Sequence, residues 1–166
     1  MTIFLIGMPG CGKTTIGKLL AESLQISFFD TDTIISSLEE MTISEIFVRH
    51  GEAYFRKLET DLLSNWKLHN AVIATGGGLP CHDNLIERIN EIGTSVWLKV
   101  PVAILEQRLN MEATTRPLIE NKDNVTKWLK ESLRLRSPFY RDAKIRMNGN
   151  EHPDIITKRI LRQLYT

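Results

Sequence analysis

The run Gly7-Met8-Pro9-Gly10-Cys11-Gly12-Lys13-Thr14 follows directly on the apolar stretch Ile3-Phe4-Leu5-Ile6. A strand therefore delivers the chain to a glycine-rich turn, and a helix opens at Lys13. In that context the pattern G-x-x-x-x-G-K-[ST] is a phosphate-binding loop. Its backbone N–H groups converge on phosphate oxygens, and the helix N-terminus adds partial positive charge. The chain is expected to bind the phosphates of a nucleoside triphosphate through Gly10, Cys11, Gly12, Lys13, Thr14 and Thr15. Lys13 reaches the β- and γ-phosphates, and the Thr14 hydroxyl takes a Mg²⁺ position. A glycine-rich turn with no ligand is the alternative, and the strand before it and the helix after it weigh against that. Cys11 is expected to be a small side chain at a variable loop position rather than a redox centre.

The rest of the chain alternates apolar runs with amphipathic stretches, which implies an α/β fold with a mostly parallel sheet. Strands are expected at Thr2–Gly7, Ser27–Asp30, Ala71–Thr75, Ser95–Val100 and Lys144–Met147. Ile16, Leu19, Leu20 and Leu24 share one helical face. Thr42-Ile43-Ser44-Glu45 reads as a capping box opening a long helix to about Trp66. Val125, Trp128, Leu129 and Leu133 mark a helix that must stop before Pro138. Pro153 opens a last helix with Ile156, Ile160, Leu161 and Leu164 on one side. With 166 residues, a single domain is expected.

Two segments break this alternation. About forty residues separate Asp30 from Ala71 with no strand among them, and two helices folded out over the carboxyl end of the sheet would use them. Asn110–Asn124 is polar and nearly helix-free by pattern, with Arg116-Pro117 in its middle. In a compact domain a stretch of that length is usually a lid or a disordered segment.

The formal net charge of +1 points to neither nucleic acid nor a membrane surface. The cluster Lys130, Arg134, Arg136, Arg141, Lys144 and Arg146 lacks the interleaved aromatics of a nucleic-acid stripe. Two cysteines, Cys11 and Cys81, make no disulfide framework and are expected to stay reduced. No apolar run nears 18 residues and the first strand begins at once, so a soluble cytoplasmic protein is expected. His50, His69, His82 and His152 have no partners at zinc-ligand spacing. Cys81-His82 follows the triple glycine and reads as loop filler, with a place lining the cleft as the alternative, and Trp66, Trp97 and Trp128 read as core or semi-core.

The chemistry concentrates at strand ends, where open α/β sheets bind ligands. The second strand ends in Phe28-Phe29-Asp30-Thr31-Asp32, placing two carboxylates toward the γ-phosphate. Phosphoryl transfer divides such a pair, one near Mg²⁺ and one near the acceptor hydroxyl. A helix-capping role is the plain alternative for Asp32. The third strand closes on Thr75-Gly76-Gly77-Gly78, where three glycines allow close backbone approach and leave N–H groups for a ligand. Arg56 lies one turn before Glu59, so an ion pair is its plain role. Arg136 sits near the end of a helix, where the dipole alone would favour it.

Several motifs in order carry a resemblance over nearly the whole chain. They are Gly7 to Thr15, Phe29-Asp30-Thr31-Asp32, Phe55-Arg56-Lys57-Leu58-Glu59, Gly76-Gly77-Gly78, Arg116-Pro117-Leu118 and Arg136-Ser137-Pro138-Phe139-Tyr140-Arg141. In this ordered set the chain resembles the shikimate kinases, in the nucleoside-monophosphate-kinase-like branch of phosphate-loop folds. The resemblance implies a three-layer α/β/α fold with a five-stranded parallel sheet of order 2-3-1-4-5. It implies a substrate-binding insertion at about residues 31–62 and a lid at about 109–124. It also implies Mg²⁺-dependent transfer of the ATP γ-phosphate to the 3-hydroxyl of shikimate, in aromatic amino acid biosynthesis, by a monomer. By resemblance Asp32 binds the shikimate hydroxyls and acts as base, and Arg56 and Arg136 hold its carboxylate. Gly76, Gly77 and Gly78 contact the same substrate, Arg116 closes on the ATP phosphates, and Asp30 helps Thr14 hold Mg²⁺. One departure is visible: Asn148-Gly149-Asn150-Glu151-His152 is short and not basic, where family members often carry a basic stretch near the adenine. Kinases of another polyol acid such as gluconate or of a nucleotide, and a non-catalytic nucleotide switch, are the alternatives. Intact Lys13, Thr14, Asp30 and Asp32 argue against the switch.

Overall fold

A computed structural model describes residues 1–112 and 122–165. Its first strand, β1 (Thr2–Ile6), is buried at every position. Successive strand side chains point to opposite faces, so such a strand is covered on both sides and belongs in the middle of a layered sheet. β1 pairs in parallel with β3 (Ala71–Ala74) on one side and β4 (Thr94–Lys99) on the other. β2 (Ser27–Asp30) adds outside β3, and β5 (Ile145–Asn148) outside β4. The order β2-β3-β1-β4-β5 is the one implied by the resemblance, and each strand lies within a residue of its expected span.

The register decides what meets at the carboxyl edge. Leu5 and Asp30 both stand opposite Ala74, so β1, β2 and β3 end level. The chain beyond them is stitched sideways. Thr75 donates both its N–H and its hydroxyl to Leu5 O, at 3.1 and 3.2 Å. Gly76 N donates to the buried hydroxyl of Thr31 at 2.9 Å.

Between strands, α1 (Lys13–Leu24) buries Ile16 and Leu20 and packs against α7 (Pro153–Leu164). Gly17 brings α1 onto the sheet, because a Cβ there would stand 2.4 Å from Phe28 Cε2 and 3.3 Å from Leu5 Cδ1. The long insertion forms the two expected helices, α2 (Thr31–Glu39) and α3 (Ile43–Ser64). The capping box is present: Thr42 Oγ1 accepts from Glu45 N at 3.2 Å, and Glu45 Oε2 accepts from Thr42 N at 2.8 Å. α3 is not continuous, however. Gly51 has φ 81° and ψ 173°, a conformation open essentially to glycine alone, and the helix resumes at Glu52. Ile35, Ile46 and Phe55 form a small core here, separate from the main one.

Helices α4 (Leu85–Ile92), α5 (Val102–Glu112) and α6 (Lys122–Tyr140) complete the described chain. Three expectations need correction. The first concerns α6, which does not stop before Pro138 but runs on to Tyr140. Proline removes one helical hydrogen bond, and complete burial of Tyr140 on the sheet offsets that loss. The second is the polar stretch 110–124. Its ends belong to α5 and α6, and residues 113–121 lie outside the described residues. The third is Trp128, which is 43% exposed rather than core, whereas Trp97 is 6% exposed and Trp66 packs on the core edge.

Gly17→Ala gives the packing argument a sign. Alanine favours the helix by about 1 kcal/mol, yet overpacking against Phe28 costs about 1–3 kcal/mol. A lower urea midpoint is expected, and a raised one would show that Phe28 moves aside without cost.

Candidate active site

The phosphate loop leads into α1 through Gly12, whose φ of 96° lies in the left-handed region and whose missing side chain offers the helix no cap. The first N–H groups of α1 therefore have no side-chain acceptor and are available to an anion. Lys13 Nζ donates to Gly7 O and Met8 O, both at 2.9 Å, and lies 3.6 Å from Cys11 Sγ. Cys11 is buried, 1% exposed, as a filler of the loop's interior. Thr15 follows Thr14 on the exposed side of the first turn.

Asp30 links this loop to α2. Its Oδ1 accepts from Asp32 N at 3.0 Å and from Thr33 N at 3.4 Å, and its Oδ2 accepts from Thr14 Oγ1 at 3.4 Å. Asp30, not Asp32, is thus the N-cap of α2. Asp32 lies in the first turn with its carboxylate over the end of β3.

The glycine run after β3 gathers the remaining charges. A Cβ on Gly76 would stand 2.7 Å from Asp32 Oδ1 and 3.0 Å from Glu59 Oε1. One on Gly77 would stand 3.1 Å from Arg136 Nη1, 3.0 Å from Pro9 Cδ and 3.3 Å from Gly7 O. One on Gly78 would lie 2.6 to 2.9 Å from Arg56 Nη1, Nη2 and Cζ. Each absent side chain is the space that a charged group from α2, α3 or α6 occupies. Gly77 also touches the phosphate loop, so this patch and the nucleotide site share a wall.

The charges are held from behind. Glu59 is fully buried, and its Oε2 accepts from Arg56 Nη1 at 2.7 Å and from His82 Nε2 at 2.9 Å. Its Oε1 has no hydrogen-bond partner among the described residues. Arg56 Nε and Nη2 donate to Glu52 Oε1 at 3.2 and 2.9 Å. Burial alone would lower the Arg56 pKa, but Glu59 and then Glu52 more than offset that and raise it. Arg136 Cζ stands 5.9 Å from the Trp128 ring centroid, which gives that exposed indole a role in positioning the cation. Tyr140 donates to Gly77 O at 2.5 Å, and burial holds its phenol far above the usual range. Burial likewise pushes the Cys81 thiol up to about 11, against the pull of Arg136 and Arg56. Cys81 is therefore a protonated wall residue at neutral pH, not a reactive thiolate.

The structure thus brings Asp32, Arg56, Arg136 and Gly76–Gly78 together beside the phosphate loop. Arg116 lies outside the described residues. His82 joins the site through Glu59, 23 residues away, a link that no sequence spacing announces. Arg108 is another such residue. Its Nη1 donates to Gly10 O at 3.4 Å and its Nη2 to Gly149 O at 3.3 Å, tying the phosphate loop to the segment after β5.

For a divalent cation the donor set is lean, with one hydroxyl and one carboxylate adjacent at Thr14 and Asp30. That fits Mg²⁺, which takes few protein ligands and completes its octahedron with phosphate oxygens and water. Among the described residues no helix is long and apolar enough to cross a membrane.

Comparison with known proteins points to a family. The family model described as shikimate kinase matches residues 9–165. A shikimate kinase of Clostridium botulinum is 42% identical over 158 residues, covering 93% of this chain and 92% of the relative. The crystal structure of shikimate kinase from Bacteroides thetaiotaomicron superposes with a TM-score of 0.90 at 32% identity, covering 100% of this chain and 99% of the other. Shikimate kinase from Acinetobacter baumannii, solved in complex with shikimate, gives 0.90 at 34% identity, with 99% and 92% covered. A phosphate loop and a glycine platform backed by a half-buried arginine–glutamate pair, with a family match over residues 9–165, lead to one family: the chain belongs to the shikimate kinases.

Proposed function

We propose that this chain transfers the γ-phosphate of ATP to the 3-hydroxyl of shikimate, giving shikimate 3-phosphate and ADP on the route to the aromatic amino acids. The observation that carries the reading is the glycine platform, where two arginines and two carboxylates converge next to the phosphate loop. A small acid with hydroxyls matches that set. Arg56 and Arg136 take its carboxylate through charge-assisted hydrogen bonds. Asp32 and the unfilled Glu59 Oε1 accept from its hydroxyls. A buried acceptor left unsatisfied costs about 1–3 kcal/mol, so a hydroxyl arriving there relieves that cost.

Lys13 exchanges its carbonyl contacts for the β- and γ-phosphate oxygens, and the N–H groups opening α1 hold the same phosphates. Thr14 and Asp30 are the residues that would hold Mg²⁺, which when bound neutralises phosphate charge. Asp32 orients the acceptor hydroxyl and takes its proton as the oxygen attacks phosphorus and the bond to ADP breaks. Little covalent work falls to the protein, and positioning supplies most of the rate. Residues 31–62 act as the acceptor-binding insertion. We further read the chain as a monomer that works in the cytoplasm.

The direct test is ATP consumption with shikimate, gluconate and a panel of nucleoside monophosphates. Turnover confined to shikimate is expected, and turnover with another acceptor alone would overturn the assignment. Asp32→Asn should lower turnover by about 10²-fold or more while ATP binding survives. Normal turnover would remove Asp32 from the role of base. Arg56→Ala and Arg136→Ala should each weaken shikimate binding about 10- to 100-fold, the scale of a lost charged hydrogen bond, with ATP affinity of the free enzyme retained. Gly78→Ala, which displaces the Arg56 guanidinium, should reproduce the Arg56→Ala result in calorimetry. Equal losses for both ligands would move these residues to the phosphate site or to the fold.

A further inference from the structure

The Arg56 guanidinium is engaged on every side by this chain's own groups. One face lies on Gly78, and the Phe55 ring centroid is 5.5 Å from Cζ. Its Nη1 donates to Glu59, and its Nε–Nη2 edge donates to a single oxygen of Glu52. The two carboxylates differ in kind. Glu59 is fully buried and shared with His82, whereas the Glu52 side chain is 67% exposed. Glu52 is also the first residue after the Gly51 break, where α3 restarts. A negative charge is favoured at such a helix start, and one helical turn from there reaches Arg56.

The Nε–Nη2 edge is the parallel fork that a second carboxylate uses on arginine. We propose that Glu52 is an internal stand-in for the carboxylate of the acceptor: it holds that edge in the ligand-free protein and must yield it when the substrate docks. This rests on the reading of Arg56 as part of the acceptor clamp. Two carboxylates on one guanidinium leave a local net charge of −1, which opposes the approach of a third. Displacing Glu52 is therefore a fixed cost of binding that a carboxylate ligand overcomes with its own bond to the fork. An acceptor without a carboxylate has no means of replacing that bond. Glu52 would thus lower affinity for an acid and leave a neutral acceptor, which does not compete for the fork, unaffected.

The test is the shikimate dissociation constant of Glu52→Gln and Glu52→Ala, measured beside that of ATP and of shikimate methyl ester. An exposed ion pair is worth at most about 1 kcal/mol, so shikimate should bind about two- to five-fold more tightly to both variants. The gain should shrink at high salt, as screening of an exposed pair requires, and should be absent for the uncharged ester. Weaker or unchanged shikimate binding in both variants would overturn the proposal and make Glu52 a support that orients Arg56. Arg56→Ala, measured in parallel, separates the two readings. If it binds shikimate as well as the unaltered protein does, the clamp itself fails and the Glu52 proposal falls with it. If only the Glu52 variants miss their expected result, the clamp stands and the stand-in does not.

Discussion

Everything in the site leans on the missing side chains at the end of β3. That strand lies between β1 and β2, so its last residues emerge where the phosphate loop, the start of α2 and the end of the central sheet meet. Backbone without Cβ atoms lets three other elements press charged groups onto a rigid surface. Asp32 comes from α2, Arg56 and Glu59 from α3, and Arg136 from α6. None of these groups is carried on a free loop, and the tolerances of catalysis favour that arrangement. Tyr140 adds a lock. By bonding to the carbonyl of Gly77 it fixes α6 against the same glycine that Arg136 approaches.

Charge at the site is arranged as exchangeable pairs. Lys13 rests on two carbonyls, Arg56 on two carboxylates, and Thr14 on Asp30. A lone buried ion would be far more costly than a paired one, and Lys13 and Arg56 both have partners within the chain. Affinity for either substrate is then a difference between old and new contacts rather than the sum of the new ones. Glu59 Oε1 differs from these, being a buried acceptor already desolvated and without a hydrogen-bond partner among the described residues.

Much of the architecture was legible because it is local. Apolar runs, unbroken through β3 and alternating in β5, mark the strands to within a residue, and the capping box at Thr42 announces α3 outright. Sheet order came only through resemblance, since nothing in a strand's own composition says which strand lies beside it. Other features failed for identifiable reasons. Pro138 is a breaker by local rules, and only the distant bond of Tyr140 to Gly77 shows why α6 continues. Gly51 looks like a tolerated helix glycine until its backbone angles are known. The Arg56–Glu59 pair was visible as i, i+3 spacing, but spacing carries no information about burial, and burial separates a surface pair from a structural one. His82 and Arg108 find their partners 23 and 98 residues away, beyond any sequence window.

The insertion keeps its own small core of Ile35, Ile46 and Phe55, apart from the cluster beneath the sheet. Its consequence is evolutionary. If the insertion seats the acceptor as proposed, its core residues can be repacked without disturbing the apolar contacts that hold the sheet and the phosphate loop. Innovation in what is phosphorylated is thereby insulated from the machinery that does the phosphorylating.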